Sequence, residues 1–180
     1  MGTRHLIAVQ LDGEYKVAQY GQWDGYPSCT GVDVLEFLRG VDIAAFKGKV
    51  SKCKFATYDQ LAELEKTDWK NDYPQLSRDT GSDVLKLIME EPDGILLANN
   101  IGFAKDSLFC EWAYVIDLDT GLLEVFKGFN TQPVAEDARF NGAPDGEYYP
   151  VRLECVFDIK NLPPKDDFLA ALKEEDEEVA

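Results

Sequence analysis

A single histidine, His5, stands five residues into the chain, and Arg4 precedes it. A run of polar and aromatic residues follows a short distance on, Tyr20, Gln22, Trp23, Asp24 and Tyr26, in "YGQWDGYPSCTG". Imidazole is the one side chain that titrates near neutrality without a large shift. Arginine clamps a carboxylate or phosphate at two points, and Trp and Tyr supply flat apolar surface with a polar handle. If these groups meet, they make a ligand pocket. His5 alone also reads as a structural histidine bonded to Tyr20 or to a backbone carbonyl, since structural networks imitate sites. Glu111 is the second candidate, because it interrupts the apolar run "LFCEWAYVI". A carboxylate there either partners a cation such as Arg4, acquires a raised pKa suited to acid/base work, or points to solvent.

Other chemistries find little footing. Cys29, Cys53, Cys110 and Cys155 lie 24, 57 and 45 residues apart with no CxxC pair, so no zinc site is expected and the thiols read as free. Asp117, Asp119 and Gly121 imitate the start of a calcium loop, but Leu122 and Gly128 occupy the positions that need Gly and Glu. Neither "FKGKV" nor "GFAKDS" is a phosphate loop, and no G-x-S-x-G elbow occurs. No metal and no cofactor are expected.

The elements that must position these residues begin with a hairpin. Residues 4–11 and 14–20 are β-rich and flank Asp12-Gly13, the dipeptide suited to a two-residue turn with positive φ. A regular register then pairs Leu11 with Glu14, Val9 with Lys16, and His5 with Tyr20. Alternation places His5, Ile7, Val9 and Leu11 on one face, and Arg4, Leu6, Ala8 and Gln10 on the other. Both faces carry apolar residues, so the first strand belongs inside a covered sheet.

After the loop, Thr30 with Asp33 resembles a capping box before the stripe Val34, Leu35, Phe37, Leu38 and Val41, with Gly40 as the stop. A second helix is expected from Asp42 to Lys47, a short strand within 50–56, a helix after Thr57 and Gln60, and another in "DVLKLIMEE". Strands then follow in "GILLANN", "SLFCEWAYVIDL", "LLEVFKGF" and "YPVRLECVFDI", with a long polar loop over 128–149. The order predicts an α+β domain, a mainly antiparallel sheet covered by helices, over residues 1–165, and an acidic tail over 166–180.

The formal charge is −16, of which −6 falls on residues 166–180 and −10 on the rest. Such a field repels nucleic acid and anionic membrane and favours a basic partner. No apolar run reaches membrane-spanning or signal-peptide length, so a cytoplasmic location is expected.

The stretches "MGTRHLIAV…GEYKVAQYGQWDGYP" and "SLFCEWAYVIDLDTGLLEVFKG" resemble a family of mostly uncharacterised proteins from phages, bacteria and fungi. The opening strand and hairpin are also similar in architecture to N-terminal-nucleophile hydrolases, whose terminal Cys, Ser or Thr uses its own amine as base. Here loss of Met1 would expose Gly2, and Thr3 would lead only after a second cleavage. Three functions are therefore expected, in this order. The first is a non-catalytic small-molecule-binding protein with its pocket at the open end of the hairpin. The second is a phage or mobile-element inhibitor or decoy that meets a basic protein through its acidic surface. The third is an amide hydrolase using Thr3 or Cys29. The ligand, the partner and the oligomeric state are not legible.

Overall fold

A computed structural model describes residues 2–172. Two strands, β1 (His5–Leu11) and β2 (Glu14–Gly21), form the opening hairpin. Four helices follow, α1 (Val32–Gly40), α2 (Ile43–Val50), α3 (Tyr58–Leu64) and α4 (Asp83–Glu90), with short β3 (Lys54–Phe55) between α2 and α3. The chain then runs through β4 (Leu96–Leu97), β5 (Trp112–Asp117), β6 (Leu122–Lys127), β7 (Arg152–Asp158) and α5 (Lys165–Ala171). The main sheet has the order β2-β1-β5-β6-β7, and β3 pairs with β4 in a small parallel sheet. Of the four pairings in the main sheet only β1 with β5 is parallel. A parallel pair needs a long crossover, and here the crossover contains β2 and helices α1 to α4.

The expected α+β class with a mainly antiparallel sheet is what the fold shows, but helices cover only one face. On that face Ile7, Val9, Tyr114, Ile116 and Leu123 pack against Leu35 and Leu38 of α1, Phe46 of α2, Leu85 and Ile88 of α4, and Phe168 of α5. The opposite face, with Leu6, Ala8, Ala113 and Val115, is covered by loop residues Ala104, Cys110, Phe140 and Val151. β1 is thus apolar on both sides because both sides are buried.

Local signals explain several boundaries. Asp12 and Gly13 adopt φ of 55° and 75°, the left-handed pair that a tight hairpin turn requires. Thr57 and Gln60 form a reciprocal capping box at the start of α3. The carboxylate of Asp42 accepts the Ala45 N–H at 2.8 Å, and α2 runs past Gly48 to Val50 rather than ending at Lys47. Thr30 does not cap α1. Its hydroxyl donates to the Asp24 carbonyl at 2.7 Å, and residues 27–31 form one wide π-helical turn ahead of the helix.

The hairpin register differs from the regular one. Leu11 faces Glu14 as expected, but Val9 faces Val17 and Gln10 faces Tyr15, so Lys16 is an extra, bulged residue. The regular register would have pointed Lys16 at the helix-covered core beside Val9, where an unpaired ammonium is very costly. The bulge places Val17 there and leaves Lys16 to pair with Glu14 at 2.8 Å. Every position beyond the bulge moves by one. Tyr20 therefore stands opposite Leu6, and His5 stands opposite Gly21.

The end of the sheet farthest from His5 is locked by polar contacts. Asp119 accepts the backbone N–H groups of Asp12 at 2.7 Å and Gly13 at 2.9 Å, joining the β1–β2 and β5–β6 turns. Nearby, Arg139 donates to Asp117 at 2.6 Å and also to Glu124, Gln10 and Tyr15. Burial opposes the Asp117 carboxylate, yet the Thr120 N–H and Arg139 outweigh it and hold its pKa below the usual value.

Helix α5 moves the boundary of the acidic tail. Phe168 is fully buried against Phe157, with ring centroids 4.9 Å apart, and Leu172 is buried too. Residues 166–172 therefore belong to the body, and the acid-rich remainder from 173 lies outside the described residues. Replacing Phe168→Ala is expected to lower stability by about 3–5 kcal/mol, whereas Asp166→Asn on the exposed side should change it by less than about 0.5 kcal/mol. Chemical denaturation of the two variants checks this, and equal small effects would show that α5 does not hold the core.

Candidate functional site

His5 opens β1 on the helix-covered face, in line with Gly21 on β2 and Trp112 on β5. It is 1% exposed. Three glycines surround its ring, and two of them, Gly21 and Gly25, are needed for it to fit. A Cβ on Gly21 would lie 2.2 Å from His5 Cε1, and one on Gly25 would lie 2.9 Å from His5 Cβ. The third, Gly81, has a φ of 52° and comes from the loop before α4; a Cβ there would stop 3.7 Å from both Cε1 and Nε2. Neither ring nitrogen has a hydrogen-bond partner among the described residues. Burial pushes the imidazole pKa down to about 4, against smaller opposing pulls from the Thr3 carbonyl, Asp24 and Asp33. The ring is therefore neutral near pH 7, with the Thr3 carbonyl as its one backbone neighbour and no side-chain partner among the described residues.

Gln19 lies two residues before Gly21 on the same face and is 3% exposed. Its amide donates to the Ser77 carbonyl at 3.2 Å, but its Oε1 has no partner. Buried polar groups without partners are uncommon and each calls for an explanation. Here two of them sit side by side under one segment, residues 77–81. That segment is pinned over the hairpin by the Gln22 N–H, which donates to the Arg78 carbonyl at 3.0 Å.

The outer side of this roof is one wall of a cleft of about 220 Å³. Arg78, Asp79, Thr80, Gly81, Ser82 and Asp83 line it on one side, and Trp23, Asp24, Thr30 and Asp33 on the other. Two hydrogen bonds tie the walls: Trp23 Nε1 donates to Asp79 at 2.8 Å, and Ser82 Oγ donates to Asp33 at 2.8 Å. Asp24 adopts a φ of 55° and is exposed, and its carbonyl accepts both the Thr30 N–H and hydroxyl. Its carboxylate makes no hydrogen bond among the described residues.

The sheet divides the residues that the sequence grouped. His5, Trp23 and Asp24 are associated with the cleft and its floor. Tyr20 lies on the opposite face, edge-on to Phe103 at 4.9 Å, and its hydroxyl donates to Gln22 at 2.5 Å. Arg4 is also there, with its guanidinium over the Phe109 ring at 4.7 Å and 3.7 Å from Glu111. Glu111 precedes β5 rather than interrupting it, and its carboxylate also accepts the Arg4 N–H at 3.3 Å. The expected neighbours His5 and Tyr20 are thus separated, because the Lys16 bulge turns Tyr20 to the other side. Tyr26 is half exposed, and its carbonyl accepts the Cys29 and Gly31 N–H groups in the π-helical turn. Thr3 is buried, with its carbonyl accepting the Gly25 N–H at 2.9 Å, while Cys29 is exposed.

Sequence reasoning missed Gln19 and the whole stretch "SRDTGSD" (77–83), which reads as an ordinary turn-rich loop. Its dense Ser, Asp, Thr and Gly content was the available signal. Nothing in the local sequence says that it packs over His5.

A larger groove of about 500 Å³ lies on the opposite face beside Tyr15, Phe126 and Arg139. Its one cation, Arg139, is already occupied by Asp117, Glu124, Gln10 and Tyr15, so it offers a ligand no uncommitted cation. No group of three or more His, Cys, Asp or Glu residues is placed to hold a metal ion among the described residues. No described helix is long and apolar enough to cross a membrane. No family model matches the chain, and no curated protein or solved structure matches it either.

The buried imidazole generates a pH dependence with a definite sign. His5 has a folded pKa of about 4 against an ordinary value of 6.5, so the unfolded chain binds the extra proton first. Its contribution is fully present above pH 6.5 and is lost as the pH falls from 6.5 to about 4, by about 3 kcal/mol. Urea melts across that range should show the slope in the parent and not in His5→Gln. Gly21→Ala should destabilise by about 1–3 kcal/mol through collision with the ring. Adding His5→Ala should recover part of that loss; a Gly21→Ala chain as stable as the parent would contradict the packing.

Proposed function

We propose that the protein binds a small molecule in the cleft between residues 23–33 and 78–83, as a binding protein rather than an enzyme. The observation that carries this reading is the cleft itself, where Trp23, Asp33, Arg78 and Asp79 converge and the Asp24 carboxylate makes no hydrogen bond among the described residues, above a floor in which His5 and Gln19 are buried with polar atoms left over. Leaving buried polar groups without partners costs about 1–3 kcal/mol each. Sites that bear such a cost, with a non-glycine residue held in left-handed backbone nearby, are where function concentrates. Small-molecule sites are concave with a few convergent polar groups; this cleft, at about 220 Å³ and lined by polar residues apart from Trp23 and Gly81, is smaller and more polar than most and suits only a small polar ligand. The binding reading is favoured over hydrolysis by the burial of Thr3 and by an imidazole too weakly basic to take a proton near neutrality.

Asp24→Asn keeps the shape and tolerates the same backbone, so it should change stability by less than about 0.5 kcal/mol. It should nevertheless remove the rise in melting temperature that the parent shows with an ultrafiltered small-molecule extract of the producing cells. A parent protein whose melting does not respond to that extract would count against the binding reading. An unchanged response in Asp24→Asn would move the site elsewhere. The acidic surface supports a second reading, an inhibitor of a basic protein, which predicts no extract response at all.

A further inference from the structure

We propose that the outer edge of β7 binds an extended segment of a protein partner, one that alternates apolar and basic residues, adds a strand beside Cys155–Asp158 and seats an apolar side chain next to Leu153. This edge lies at the far end of the sheet from β2, and its occupancy is independent of what the cleft binds.

The sheet has two edges, and the chain covers one of them. At β2, Ala18 bridges Asn99 and its carbonyl accepts the Asn100 N–H at 2.9 Å. β7 has no such cover. Ile159 donates its N–H to the Gly121 carbonyl at 2.9 Å, so alternation along the strand turns the backbone of Phe157 and Cys155 toward β6 and that of Val156 outward. The Asp158 N–H points outward by the same rule. Among the described residues, neither this N–H nor the N–H and C=O of Val156 has a hydrogen-bond partner. Glu154 is an extra residue in the pairing with β6, since Cys155 faces Val125 while Leu153 faces Phe126. The bulge interrupts the edge there. A partner strand is thereby confined to a short ladder over 155–158.

The side chains beside this ladder are apolar and uncovered. Leu153 and Val156 stand in register with Phe126 and Glu124, on the face that loops cover, yet both are exposed because that cover stops short of β7. Next to them runs the groove of about 500 Å³, where Leu153, Phe126, Val134 and Val151 form apolar walls. An added strand would direct every second side chain onto this face. Its main-chain bonds would supply affinity, and the groove would select the side chain.

Charge decides between occupants. On the strand and the loop across the groove stand Glu124, Glu136, Asp137, Glu154 and Asp158, against Arg139, Arg152 and Lys160. Arg139 is held by Asp117 and Glu124, and Arg152 lies 3.4 Å from Glu154. The Asp137 carboxylate, in the groove wall, makes no hydrogen bond among the described residues. With a formal charge of −16 on the chain, a second copy is repelled from this edge and a basic segment is attracted.

The test is NMR-detected hydrogen exchange on the full chain with two blocked peptides, acetyl-Lys-Val-Lys-Leu-Lys-Val-amide and its counterpart with Glu in place of Lys. The lysine peptide should shift the amides of 134–139 and 153–158 and slow exchange at Val156 and Asp158, with binding weakened by sodium chloride. Val156→Pro removes an outward N–H that the sheet does not use, so the fold should persist and the slowed exchange should vanish. Leu153→Ser, at an exposed position, should weaken binding about tenfold through the lost apolar contact. Slow exchange at Val156 and Asp158 in the free chain would overturn the proposal by showing the edge already covered. Equal binding of the glutamate peptide would overturn the charge assignment, and shifts without slowed exchange would reduce the contact to surface attraction. A dimer joined through 153–158 in sedimentation would give the edge to a second copy instead. No response to the lysine peptide, or a response confined to 22–33 and 78–83, would also overturn it, and none of these outcomes alters the extract-dependent melting that tests the cleft.

Discussion

The parallel pairing of β1 with β5 is the contact on which the rest of the molecule depends. It places the first strand in the middle of the sheet, with β2 on one side and β5 on the other. A central strand must be apolar on both faces, and Leu6, Ile7, Ala8 and Val9 are all fully buried. The pairing also requires a long crossover between β2 and β5, and the helices α1 to α4 within it gather on one face of the sheet. The other face is left for the loops around 101–110 and 128–151 to cover.

The two ends of β1 are treated in opposite ways. At its C-terminal end Asp119 holds the Asp12 and Gly13 N–H groups, and Arg139 is paired with Asp117 and Glu124 and bonded to Gln10 and Tyr15. Breaking such a partly buried set by removing one partner is strongly destabilising. At its N-terminal end the His5 ring and Gln19 Oε1 are buried without side-chain partners, beneath a segment tied down by hydrogen bonds from Gln19, Gln22 and Trp23 and to Asp33. The same fold therefore has a saturated end that contributes rigidity and an unsaturated end that retains hydrogen-bonding capacity. A site is best built on such a contrast, because a rigid scaffold holds the unsatisfied groups in place.

Glycine gives the unsaturated end its geometry. An imidazole on a central strand needs more room than the neighbouring chain would leave, and Gly21 and Gly25 supply it, while Gly81 meets the ring at ordinary contact distance. The indole of Trp23 lies flat against Gly2 by the same device. Aromatic and imidazole rings thus take the space that side chains would have filled, and the loop after β2 closes over them with Tyr114 donating its hydroxyl to the Gly25 carbonyl at 2.8 Å.

Much of the fold was legible in the residues themselves. The Asp12-Gly13 turn, the capping box at Thr57, the two faces of β1 and the succession of helices then strands all follow from rules that act over a few residues. The grouping of candidate residues was legible only in part: Trp23 and Asp24 line one cleft and His5 lies beneath it, whereas Arg4, Tyr20 and Glu111 lie on the opposite face. The bulged lysine accounts for Tyr20, since its position depends on a core that forms only when the helices pack, whereas strand alternation alone already set Arg4 on the face opposite His5. The stretch 77–83 could not be found at all, because its neighbours in space, Gln19, Gln22 and His5, are more than fifty residues away in the chain. Local propensity determines which elements form, whereas the register and the partners of a loop are chosen by burial, which only the assembled sheet and helices provide.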